Sequence, residues 1–215
     1  MRLLSSIRDT FLDYLFPRTA EERALLASSP GELLLRLPAA AHIGNDAFAL
    51  FEYAHPGVKD LVWLLKYKGD REAAAKLGVL LFDTLSAELE EGNLREKYGT
   101  PLLVAMPASG ERRLTRGYNQ AELLCAAVAS SDRGTLAYLP HALTKVRHTE
   151  SQTETRGRAE RLENLRGSMA ASSEVSGRLV VVIDDVITTG ATWAEAKRAL
   201  GEAGARKAMI IAVAH

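Results

Sequence analysis

LVVVIDDVITTGATWAEAKRALGEAG, residues 179–204, joins an apolar run, two acidic residues and a helical period without a break. Its first five residues, Leu179 to Ile183, are all aliphatic. A run without polar alternation suits a strand buried on both faces, as strands of parallel sheets are. Two aspartates follow, Asp184 and Asp185, then a loop of small and hydroxylated residues, then a helical period that Gly204 ends. The loop therefore lies at the carboxyl end of a strand, where open α/β sheets collect ligands.

Within that loop two chemistries stand side by side. Thr188, Thr189, Gly190, Ala191 and Thr192 run into a helix N-terminus, whose unpaired amides and partial positive charge favour a phosphate. The threonine hydroxyls add donors, and Gly190 allows close backbone approach. Neither the lysine nor the spacing of GxxxxGK[ST] is present, which excludes the nucleoside-triphosphate loop. Asp184 and Asp185 suit sugar hydroxyls, bound directly or through a hydrated Mg2+ ion. Adjacent aspartates in an ordinary loop are solvated or cap helices; attached to an aliphatic strand and a TTGAT turn, they read as a site. A diol and a phosphate on one ligand mean a ribose phosphate.

Composition sets the surrounding limits. The chain has 215 residues, 47% of them hydrophobic, enough for one substantial domain. Lys plus Arg and Asp plus Glu number 27 each, so anion binding has to be local rather than global. The opening MRLLSSIRDTFLDYLF is broken by Arg8, Asp9 and Asp13 and reads as an amphipathic helix, not a leader. No apolar run approaches the roughly 18 residues of a membrane span. A cytoplasmic protein is expected. The one cysteine, Cys125, falls in an apolar helical pattern and reads as a buried, inert thiol. No histidine pair has metal-ligand spacing.

Outward from 179–204, the periods alternate. AFALFEY (47–53), LLVAMP (102–107), ALTKV (142–146) and AMIIAVA (208–214) read as strands. VKDLVWLLKYKG (58–69), DREAAAKLGVLLFDTLSAELEEG (70–92) and NQAELLCAAVA (119–129) read as helices, with Gly69 as a stop and Asp70 and Asn119 as N-caps. The expected fold is α/β, a mainly parallel twisted sheet with helices on both faces. Residues 1–40 are expected to form a helical appendage and 45–215 the main domain. Lys66 and Lys68 read as exposed lysines, with reach toward the site as the alternative. Tyr118 reads as a packing residue or a ligand contact. Arg112, Arg113 and Arg116, with Gly117 for a tight turn, follow a buried strand at the ligand end of the sheet and suit a pyrophosphate. The polar stretch from Thr144 to Gly167 reads as a mobile lid carrying Gln152, Arg158 and Arg161, with a solvated helix turn at 161–164 as the alternative.

The 179–192 stretch resembles the PRPP-binding signature of the type I phosphoribosyltransferases. LLKYKGDREAAAKLG (64–78), RRLTRGYNQAELL (112–124) and SQTETRGRAERLENLRGSM (151–169) then occur in the order seen in the ComF family, named for competence proteins of bacterial DNA uptake. The resemblance covers about 45–215. It implies that Asp184 and Asp185 hold the ribose hydroxyls of 5-phosphoribosyl 1-pyrophosphate (PRPP) with Mg2+, and that residues 188–192 hold its 5-phosphate. It also implies a link to competence machinery. Turnover, the acceptor and the oligomeric state stay open, because no motif names the nucleophile. Two alternatives are a factor that binds single-stranded DNA through its arginine loops, and a nucleotide sensor without turnover. Against DNA stand the net charge of zero and the lack of an aromatic series. The chain departs from the family at two places. After YLFP (14–17) it has no cysteine where a four-cysteine zinc module usually stands, so zinc is not expected. The strand before the basic loop reads VAMPASGERR (104–113) rather than a form with the more usual histidine and proline.

Overall fold

The computed structural model describes residues 17–108, 116–147 and 164–215; the helix expected before Pro17 lies outside them. Five strands form one sheet: β1 (Ala47–Phe51), β2 (Leu102–Ala105), β3 (Ala137–Tyr138), β6 (Leu179–Val186) and β7 (Lys207–Ala214). Their order is β1-β7-β6-β2-β3 and every pairing is parallel. β6 lies in the centre, and Leu179 to Ile183 are fully buried. Burial of such a side chain contributes roughly 1.5–3 kcal/mol, which explains the unbroken aliphatic run. The strand continues two residues past Asp184, because Val186 still pairs with Ala214.

The helices are α1 (Ala20–Ala27), α2 (Pro30–Arg36), α3 (Pro56–Trp63), α4 (Arg71–Glu91), α5 (Leu94–Tyr98), α6 (Gln120–Ser131) and α7 (Ala191–Glu202). Asp70 accepts from the amides of Glu72 and Ala73, and Asn119 from that of Ala121, so both expected caps hold. Connections β1 to β2 and β2 to β3 run one way along the sheet, whereas β6 to β7 runs the other. With right-handed crossovers, this puts α4 and α6 on one face and α7 on the opposite one. The reversal falls between β6 and β2, the position in open α/β sheets where ligands bind at the strands' carboxyl ends.

α1 and α2 each begin with a capping box, Thr19 with Glu22 and Ser29 with Glu32. They pack on α3 and α4 and bury Leu25, Leu26, Leu33 and Leu37 in the common core. Arg18 reaches the buried Asp70 at 2.7 Å. Residues 38–40 hydrogen-bond to the outer edge of β1, which covers it.

ALTKV does form a strand, β4 (Leu143–Lys145), but outside the main sheet. It pairs antiparallel with β5 (Met169–Ala171), a strand the polar pattern hid. α7 anchors this ribbon: the Met169 amide donates to Glu195 at 3.0 Å, and Arg198 pairs with the same buried carboxylate at 2.8 Å.

A Cβ on Gly78 would lie 2.4 Å from the Ala127 Cβ and 2.8 Å from its carbonyl carbon, because α4 and α6 touch there. Gly78→Ala should lose about 1–3 kcal/mol in urea unfolding. Burial alone would raise the Glu195 pKa, yet the hydrogen bonds from Arg198 and Met169 outweigh it and hold the carboxyl below its ordinary 4.5. Its contribution is therefore complete above that value and lost as pH falls through the lower folded value. Glu195→Gln should flatten that acid limb of a stability-against-pH curve.

Candidate functional site

Asp184 and Asp185 stand at the carboxyl end of β6, beside the reversal in the sheet, and their surroundings differ. Asp185 is 5% exposed. Its Oδ1 accepts from the Val186 amide at 2.9 Å, while Oδ2 faces the Lys66 ammonium at 3.1 Å and the Gln120 Nε2 at 3.5 Å. Asp184 is half-buried, and its Oδ1 accepts from the Asp185 amide at 2.8 Å. Burial, and then the neighbouring Asp185 charge, push the Asp184 pKa well above the ordinary aspartate value; Lys66 opposes the rise. Asp184 is thus the less buried residue of the pair, with one oxygen on the Asp185 amide, and Asp185 the one the chain itself has partnered on both oxygens.

Beyond the pair, the loop rises on a fixed base. The Ile187 amide donates to Ala214 O, and the Ile187 carbonyl lies 2.8 Å from His215 Nδ1. A carbonyl only accepts, so Nδ1 carries the proton there. Gly190 takes the left-handed conformation, φ 74°, as the residue before α7, and open space lies where a Cβ would be. No side chain caps α7; the Ala191 amide meets Thr189 Oγ1 only at 3.4 Å. Thr188 and Thr192 are exposed, Thr189 is half-buried and Ala191 is buried. These residues surround an uncapped helix start that presents amides to an anion.

Two distant sequence motifs meet beside the pair. α3 continues into a single π-helical turn, Leu64–Lys68, which Gly69 ends at φ 59°. Lys66 comes from this turn. The alternative for this residue holds, since it reaches the site instead of lying exposed. RGYNQ (116–120) packs against the same turn. The Arg116 guanidinium lies over the Tyr67 ring at 5.0 Å, and Gly117 turns the chain at φ 76°. The Tyr118 ring fills the space a Cβ on Gly69 would need, 2.9 Å away. Asn119 caps α6 and donates to Met106 O at 3.0 Å, fixing the loop after β2, and Gln120 reaches Asp185. Sequence reasoning did not single out Gln120 or the loop-anchoring role of His215. Gln120's place one residue after a helix cap was the only signal available.

Arg112 and Arg113, and Gln152, Arg158 and Arg161 of the expected lid, lie outside the described residues. A cavity of about 300 Å³ opens at the carboxyl end of β2, lined among others by Pro107, Ala108, Asn119, His141, Lys145 and Arg147. It is one strand from the acidic pair, because Ala105 pairs with Ile183. Cys125 is buried, and burial pushes its thiol pKa up, as suits an inert core residue. Among the described residues no three His, Cys, Asp or Glu side chains gather to hold a metal, and no helix is long and apolar enough to cross a membrane.

Asp184 is expected to burden the free fold. A carboxyl with a raised folded pKa reduces stability once ionised, and the reduction is complete above that pKa. Asp184→Asn should therefore raise the Tm at neutral pH by about 2–4 °C per kcal/mol of repulsion relieved, as differential scanning calorimetry would show.

The Phosphoribosyl transferase domain family matches residues 124–215. The chain is 34% identical over 154 residues to the DNA utilization protein YhgH of Salmonella typhi, covering 70% of this chain and 63% of that protein. It is 31% identical over 164 residues to Competence protein ComFC of Streptococcus pneumoniae, covering 76% of this chain and 66% of that protein. The chain thus spans just under two thirds of the length of these relatives. It is also similar to a solved structure of the allosteric regulatory enzyme of purine biosynthesis, with a TM-score of 0.42 and 20% identity over 70% of this chain and 30% of that one. By its motif order and its two protein relatives, the chain belongs to the ComF family, and its fold is the expected α/β one, a parallel sheet with helices on both faces.

Proposed function

We propose that the carboxyl end of the sheet at the β6–β2 reversal binds PRPP, or a related ribose 5-phosphate, together with Mg2+, and transfers its phosphoribosyl group to an acceptor. The observation that carries this is the juxtaposition of the half-buried Asp184 carboxylate with the uncapped start of α7. One suits a sugar diol and the other its 5-phosphate. Asp184 is the acceptor for the hydroxyls. Among the described residues two carboxylates stand here, so a hard cation would complete its oxygen shell from the ligand and water. The ion, when bound, would neutralise charge on the pyrophosphate and on the carboxylates that hold it.

In the transfer, the acceptor's lone pair forms a bond to the sugar C1 as the bond from C1 to pyrophosphate oxygen breaks, and the pyrophosphate leaves with that electron pair. The sugar is cationic in between, so water has to be kept away. The β2-end cavity, with Lys145 and Arg147 in its lining, gives the departing anion cationic surroundings. Isothermal titration should show Mg2+-dependent PRPP binding in the unaltered protein and none in Asp184→Asn with Asp185→Asn. Absence of binding to the unaltered protein overturns the ligand assignment. Pyrophosphate release on adding an acceptor then separates an enzyme from a silent sensor.

A second reading, binding of single-stranded DNA, gains an observation that the sequence did not offer. Trp63 and the half-exposed Tyr67 lie 5.6 Å apart, with Lys68 5.7 Å from the Trp63 ring and Arg116 on Tyr67. Aromatic rings flanked by cations suit stacked bases and phosphates. Two relatives carry DNA utilization and competence in their names, which supports testing it. Fluorescence anisotropy of an oligothymidylate should rise at low salt, fall with added salt, and weaken in Tyr67→Ala. A flat low-salt titration rejects this reading.

A further inference from the structure

We infer that Lys66 is a built-in counterion that occupies Asp185 and withholds it from a divalent cation until the ligand arrives. This rests on the reading of the acidic pair as the sugar and cation end of the site. Three groups of the chain already hold the Asp185 carboxylate: Val186 N on one oxygen, Lys66 and Gln120 on the other. The Lys66 side chain is 25% exposed and that of Asp185 is 7%, so water screens this pair less than a surface ion pair.

The lysine is placed there by the helix irregularity. The Gly69 amide bonds back five residues to Leu64 O, which adds one residue to the turn and carries Lys66 round from where an α-helix would leave it. Both ends of the turn are held. Leu64 and Leu65 are fully buried, Gly69 is wedged under the Tyr118 ring, and Asp70 is fixed by its cap bonds and Arg18. π-helical turns recur at functional sites, and this one delivers a charge to the acidic pair.

A cation seated on Asp185 would meet the ammonium at contact distance. Metal entry alone is therefore opposed by like-charge repulsion. A phosphorylated ligand reverses the balance, since its anionic oxygens both coordinate the metal and accept from the displaced lysine. The cation and the ligand then enter together, and Lys66 sets that order.

The test is Mn2+ titration of the full chain without ligand, read by electron paramagnetic resonance, for Lys66→Met, Lys66→Gln and Lys66→Arg. The Met and Gln variants should bind Mn2+ about tenfold tighter than the unaltered protein, a change of about 1.4 kcal/mol. The Arg variant should match the unaltered protein, and adding Asp185→Asn to Lys66→Met should abolish the gain. Lys66→Met should also lose thermal stability and recover it with Mn2+. Equal Mn2+ binding in all variants overturns the inference. If the unaltered protein binds PRPP with Mg2+ but the Met and Gln variants gain no Mn2+ affinity, the counterion role fails and the PRPP reading stands. If they gain it while no PRPP binds, the counterion role stands and the PRPP reading fails.

Discussion

β6 is hydrogen-bonded along both edges and covered on both faces, and the site depends on where that burial ends. Five buried aliphatic residues drive the strand through the centre of the sheet. Pairing to β7 persists to Val186, so the two aspartates stay on the rigid strand and do not fall in the loop. This is a constraint with a cost. A carboxylate held at the rim of a core is desolvated, and a second one beside it adds repulsion. The neighbouring elements answer that cost: α6 offers Gln120, the π-helical turn offers Lys66, and the backbone offers the Val186 amide.

That answer ties together parts of the chain far apart in sequence. KYKG and RGYNQ are one interlocked unit, in which a glycine makes room for a tyrosine, a tyrosine carries an arginine, and a lysine and a glutamine converge on one aspartate oxygen. Residues of RGYNQ that suggested ligand contacts also serve assembly of the site. Arg116 lies on Tyr67, whereas the cavity at the end of β2 has Lys145 and Arg147 in its lining. Rigid support of this kind keeps two carboxylates in place before any ligand is present.

Much of the fold was legible because its signals are local and strong. The aliphatic β6, Gly69 as a stop, and the Asp70 and Asn119 caps each follow from a single side-chain property. β3 and β5 were hidden because strands of two or three residues carry no period. α1 and α2 show capping boxes in TAEE and SPGE, yet their packing on α3 and α4 needs the tertiary structure. In the site, the acidic pair and the loop stood out by composition. Lys66 did not, because one extra residue in a helical turn leaves no mark in a sequence but rotates everything that follows. Gln120 was obscured by its ordinary place in the first turn of a helix.

One ligand is expected to span the acidic pair and the start of α7. A crystal structure of the chain soaked with PRPP and Mg2+ should show the 5-phosphate on the amides of residues 190–192 and the ribose hydroxyls toward Asp184, with the Lys66 ammonium drawn away from Asp185. A phosphate bound elsewhere, with the acidic pair still closed by Lys66, would contradict that expectation.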